Sequence, residues 1–171
     1  MKREYYLHHR NKYLPDNLRY IFVLESPPAS GLYFYDESGK TSEPLFAEMM
    51  KLLGVTAKNK EGGLKLFQKA GYLLLDATYQ PVNELKGKKR NDVILRDFSN
   101  LVEDLEKACA GKQIPIILVK SNICRILEPR LKQLGFTVQN NGVVVFFPST
   151  GQQKQFHEKL GKFHQAVKIY A

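Results

Sequence analysis

The chain has 171 residues, with 26 Lys and Arg against 17 Asp and Glu for a formal net charge of +9. That length buries a core without staples, so one domain over residues 1–171 is expected. The two cysteines, Cys109 and Cys124, sit in apolar helical patterns and exclude a disulfide framework or a four-cysteine metal or iron–sulfur site.

In chain order, residues 1–18 are polar and aromatic and predict a short helix, with a turn at Pro15 to Asn17. From Arg19 through Leu24 an apolar run of strand formers leads straight into Glu25-Ser26-Pro27-Pro28. This predicts a buried strand entering a rigid loop. Gly31-Leu32-Tyr33-Phe34-Tyr35 follows, and core packing accounts for one or two of its three aromatics rather than all. Thr41 or Ser42 then offers an N-cap for an amphipathic helix using Phe46, Met49, Met50 and Leu53, closed by Gly54. Leu64, Phe67 and Ala70 mark a second short helix, and Tyr72 to Leu75 a second buried strand ending in Asp76.

The segment Ala77 to Asn91 reads as a loop carrying the basic run Lys86-Gly87-Lys88-Lys89-Arg90. One helical stripe, from Ile94 to Cys109, leads to a third strand at Ile114 to Val119, which ends in Lys120-Ser121. Ser121 caps a helix that Pro129 should kink or divide. Asn141-Gly142 makes a turn into a fourth strand, Val143 to Phe147, which breaks at Pro148. Ser149 or Thr150 caps the last helix, with Phe156, Leu160, Phe163, Val167 and Tyr170 facing inward. The alternation predicts an α/β fold, a three-layer α/β/α domain with a mostly parallel four-stranded sheet.

Parallel strands gather their carboxyl ends at one crevice. There Glu25 could activate water, Asp76 could accept hydrogen bonds, and Ser149, Thr150 and the following helix start could hold a phosphate. Lys88, Lys89 and Arg90 flank the same edge, where they would bind phosphate. No GxxxxGK[ST], GxGxxG or GxSxG pattern is present, which argues against nucleotide hydrolysis, dinucleotide binding and the α/β-hydrolase mechanism. His8, His9, His157 and His164 read as solvated, and the last two lie too far apart for a two-ligand helical metal site. No metal or cofactor is expected. The basic excess favours a polyanion, DNA or RNA, as partner. No run approaches the roughly 20 apolar residues of a membrane helix, and the N-terminus lacks an apolar signal segment, so a cytoplasmic protein with no membrane partner is expected.

LESPP at Leu24 to Pro28 resembles the first motif of the uracil-DNA glycosylase superfamily, a proline-containing loop that supplies the water-activating group. FPST at Phe147 to Thr150 resembles its second motif, with Phe147 at the position of a histidine. GLYFY at Gly31 to Tyr35 is similar to the segment whose phenylalanine stacks on the extruded base, which makes Phe34 that residue. LLLDATYQP places Asp76 where several members use an asparagine to read the base edge. The resemblance implies a uracil-DNA glycosylase-like fold and hydrolysis of the N-glycosidic bond of a damaged or modified base in DNA. Glu25 would activate water, Phe34 stack, and Asp76 read the base, with Ser26, Ser149 and Thr150 on phosphates. Two other readings fit the same residues: a catalytically inactive nucleic-acid binder, favoured by Phe147, and a hydrolase of small nucleosides or phosphosugars.

Overall fold

The computed structural model describes residues 2–164. Helix α1 (Arg3–Asn11) carries Glu4 in its first turn and His8, His9 and Arg10 in its last, the arrangement a helix dipole favours. Strand β1 (Tyr20–Leu24) follows, then α2 (Pro44–Leu53) and α3 (Lys60–Lys69). Pro44 starts α2 after Glu43, so neither Thr41 nor Ser42 is its cap; proline's fixed φ suits that first position. Gly54, at φ 68°, closes the helix in the left-handed conformation. Asn59 caps α3 by accepting from Gly62 N at 2.8 Å. Gly63 lets α3 approach α2, since a Cβ there would stand 2.4 Å from the Phe46 ring.

Strand β2 (Tyr72–Asp76) leads to α4 (Gly87–Arg96) and α5 (Phe98–Cys109). The apolar stripe from Ile94 to Cys109 is therefore two helices. Asp97 sits between them at φ −89°, ψ 4°, its carboxylate accepting from Thr78 Oγ1 at 2.6 Å. Strand β3 (Ile116–Leu118), α6 (Ser121–Gln133) and α7 (Gln153–Leu160) complete the described residues. Lys120 takes the capping position before α6, which runs through Pro129 undivided. Phe156 and Leu160 are buried and Phe163 half-buried; Val167 and Tyr170 lie outside the described residues.

The sheet is fully parallel in the order β2-β1-β3. Every residue of β2 and β3 is buried, as is β1 from Ile21 onward, so both faces are covered. The α/β class is as expected, but the described residues form three strands rather than four. Val138 makes a parallel bridge to Ile116, after which the pairing passes to a side chain. The Asn140 amide accepts from Leu118 N at 2.8 Å and donates to Leu118 O at 3.0 Å, doing what a peptide group does in a ladder. Asn141 and Gly142 then turn the chain with positive φ values of 46° and 81°. Residues 143–147 accordingly form no strand, although Val145 is buried and accepts from Lys120 N at 2.7 Å. At the opposite edge the Tyr35 hydroxyl accepts from Leu74 N at 2.8 Å and donates to Leu74 O at 3.2 Å. Tyr33, Phe34 and Tyr35 are all core residues, at 1%, 5% and 0% exposure, so packing claims all three.

Candidate active site

The carboxyl ends of the strands converge on a cavity of about 300 Å³. In the β1–β2 register Leu24 stands opposite Asp76, and the pairing continues past both strands through Ala77 N to Leu24 O at 2.8 Å and Thr78 N to Glu25 O at 3.1 Å. Glu25 and Asp76 both line the cavity. The rest of the wall is largely apolar, with Pro27, Phe34, Phe46, Leu74 and Phe147 among its residues.

Glu25 is buried at 4% exposure, with a donor on each oxygen. Lys120 Nζ donates to Oε1, Asn122 Nδ2 donates to Oε2 at 2.6 Å, and Arg90 Nε stands 3.8 Å from Oε2. Burying a carboxylate is costly unless it is paired and hydrogen-bonded, and these neighbours meet that requirement. Each oxygen still has lone-pair room for one more donor, so a water can bind there. Lys120 reaches Glu25 from a backbone at φ 88°, a conformation non-glycine residues adopt only at a cost of roughly 1–3 kcal/mol.

Asp76 is the opposite case. It is equally buried, and its Oδ2 has no hydrogen-bond partner among the described residues. Burial pushes its carboxyl up to about 7; Arg10 acts against that shift and the charge of Glu25 adds to it. A neutral carboxyl offers both an O–H donor and a carbonyl acceptor, whereas the ionised form only accepts. Asp76 also borders a second, more polar cavity of about 250 Å³. At that cavity Arg10 bonds Tyr79 Oη at 2.7 Å and Asp104 at 3.2 Å.

Of the residues expected at the site, Glu25, Ser26, Phe34, Asp76 and Phe147 line the cavity. Phe34 is held between Phe46 and Phe67, with ring centroids 5.9 and 5.1 Å away. Ser26 is engaged by Val82 N at 3.2 Å, which ties the proline loop to the segment after β2. Gly87 to Arg90 open helix α4 instead of lying in a loop. Arg90 turns inward, bonding Val82 O at 3.2 Å and Asn83 O at 2.8 Å, with its Nε 3.8 Å from Glu25 Oε2. Lys88 and Lys89 stay exposed and outside the cavity wall. Ser149 and Thr150 are exposed, also outside the wall, and α7 begins only at Gln153 after a turn, so neither caps it.

His8 is exposed as expected, but the two C-terminal histidines depart from the solvated reading. His157 Nε2 pairs with Glu48 at 2.6 Å, and His164 is buried against the Tyr72 hydroxyl. Asn122 and Tyr33 are site residues that sequence reasoning missed. The signal for Asn122 was a carboxamide two residues past the end of the third apolar run; the signal for Tyr33 was a hydroxyl inside an otherwise apolar cluster. Among the described residues, no three His, Cys, Asp or Glu side chains group as a metal site requires, and no helix is long and apolar enough to cross a membrane. Compared with known protein families and with curated proteins, the chain matches none.

Proposed function

We propose that the cavity receives a base extruded from DNA and that this chain hydrolyses the N-glycosidic bond of a damaged or modified base. One observation carries the reading: a carboxylate with a donor on each oxygen and a carboxyl with one unpartnered oxygen line the same apolar cavity, bordered by Phe34. A base in duplex is unreachable, so extrusion costs a few kcal/mol, least for damaged or unpaired bases. Phe34 and Phe147 supply apolar surface for a flat ring. Glu25, held by Lys120 and Asn122 with Arg90 alongside, positions the attacking water. The C1′–N bond breaks with its electron pair leaving on the base, the water oxygen bonds to C1′ as its proton passes to Glu25, and Asp76 in its neutral form donates a hydrogen bond to the departing ring.

Phe147 supports a second reading, because a phenyl ring in the cavity wall gives no donor to a leaving base. On that reading the chain binds nucleic acid without turnover. Incubating the protein with single-stranded and duplex oligonucleotides that carry a panel of damaged bases, and scoring abasic sites, tests both. Abasic product from wild type that disappears in Glu25→Gln supports hydrolysis. Salt-dependent binding without product supports the inactive binder, and salt-independent action on free nucleosides removes DNA from the account.

A further inference from the structure

Two residues that line this cavity each carry a buried polar atom with no hydrogen-bond partner among the described residues: Asp76 Oδ2 and the Tyr33 hydroxyl. A buried polar group without a hydrogen bond is destabilising, and native proteins rarely keep one without use. Of the five such atoms among the described residues, two belong to residues lining this one cavity. Both belong to residues more than nine-tenths buried, Tyr33 at 1% exposure and Asp76 at 4%.

Tyr33 is also held rigidly. Buried Lys60 donates to its carbonyl at 2.6 Å while pairing with Glu43 at 2.7 Å. The ring rests edge-on against Tyr6, with centroids 4.9 Å apart. Burial first, and the Asp76 charge next, push the Tyr33 phenol well above its ordinary value, so it remains a hydroxyl donor. The neighbouring Tyr35 shows what this chain does with a structural hydroxyl, since it bonds both backbone groups of Leu74. The Tyr33 hydroxyl has no such bond.

We infer that the Tyr33 hydroxyl and the Asp76 carboxyl together read one edge of the ligand, an edge that sets an acceptor beside a donor. The ring nitrogen and exocyclic amine of adenine or cytosine are such an edge. Tyr33 donates to the ring nitrogen, Asp76 accepts from the amine, and both unpartnered atoms are satisfied at once. This assignment rests on the nucleobase reading of the cavity, and it makes Tyr33 a specificity-determining residue.

The test is titration of wild type, Tyr33→Phe and Tyr35→Phe with free adenine and with purine, which lacks the amine, alongside thermal unfolding of each protein. Wild type should prefer adenine over purine, and Tyr33→Phe should weaken adenine about tenfold. Its melting temperature should stay level or rise, because it removes an unpartnered hydroxyl. Tyr35→Phe should do the reverse, melting lower while binding adenine as wild type does. Wild-type affinity for adenine in Tyr33→Phe overturns the inference, as does a fall in melting temperature matching that of Tyr35→Phe, or a wild type that binds neither base. Binding with this pattern but no abasic product would remove hydrolysis and leave the edge reading standing. Abasic product together with unaltered binding by Tyr33→Phe would do the opposite.

Discussion

Glu25 and Asp76 end neighbouring parallel strands, are buried to the same degree and line the same cavity, yet one is surrounded by donors and the other has an oxygen with none. The difference comes from what the next strand over delivers. β1 is central, so Glu25 lies within reach of Lys120 and Asn122 beyond β3, and α4 brings Arg90 alongside. β2 is at the edge, and Asp76 Oδ2 is bonded by no donor, although Arg10 acts on the carboxyl through its charge. Two carboxyl groups thereby acquire different surroundings: one is bonded by two side-chain donors, and the other is pushed by burial to a value of about 7.

The comparison breaks first at Glu25. Glu25→Gln keeps the shape but removes the charge, and turnover should fall about 10²- to 10⁴-fold while circular dichroism stays native. Near-wild-type turnover would move the chemistry to Asp76. The next effect concerns stability. With a folded value of about 7 against an ordinary carboxyl value of 3.8, Asp76 holds its proton in the folded state across that window while the unfolded chain releases it. Stability from this group is complete below about pH 4, declines as pH rises through 7, and is flat above, a loss on the order of 4 kcal/mol. Asp76→Asn should abolish the decline, so denaturant midpoints of the variant and wild type should converge in acid and separate at about pH 8.

A subtler expectation is that the base preference follows the same protonation. Above about pH 7 the ionised carboxylate should favour amine-bearing bases over uracil by about tenfold, and below about pH 6 the neutral form should narrow that gap. Asp76→Asn should show no such pH dependence in competitive binding. The smallest effect belongs to the exposed Lys88 and Lys89. Replacing both with alanine should flatten the salt slope of duplex binding by about 0.9 for each phosphate no longer neutralised. An unchanged slope would put the DNA path elsewhere.

The two carboxylates were legible in the sequence because each follows an apolar run that only a buried strand explains. Their contrast was not. Lys120 is visible as a strand end, but that it faces Glu25 rather than Asp76 depends on the order β2-β1-β3, which no local pattern encodes. By composition Arg90 is one more member of a basic run. Starting α4 at Gly87 turns it inward onto two carbonyls and a carboxylate. The apolar run from Val143 to Phe147 has strand composition, yet Asn140 commits its amide to Leu118 and the turn after it takes the run out of the ladder. Side-chain substitution for a peptide is invisible to hydrophobic periodicity.

That substitution, repeated at both margins of the sheet, bears on how these molecules behave in a crowd. An unprotected strand margin is a template on which another chain can add itself. Leu74 is the middle residue of β2 and Leu118 the last of β3, and each has its amide and carbonyl engaged by Tyr35 or Asn140. An incoming strand would have to displace a buried hydroxyl or a buried amide before it could form consecutive bonds. Tyr35 at one margin, and Asn140 with the Val138 bridge at the other, thus occupy backbone groups that an incoming chain would need, and substitutions at Tyr35 or Asn140 should register as aggregation on storage.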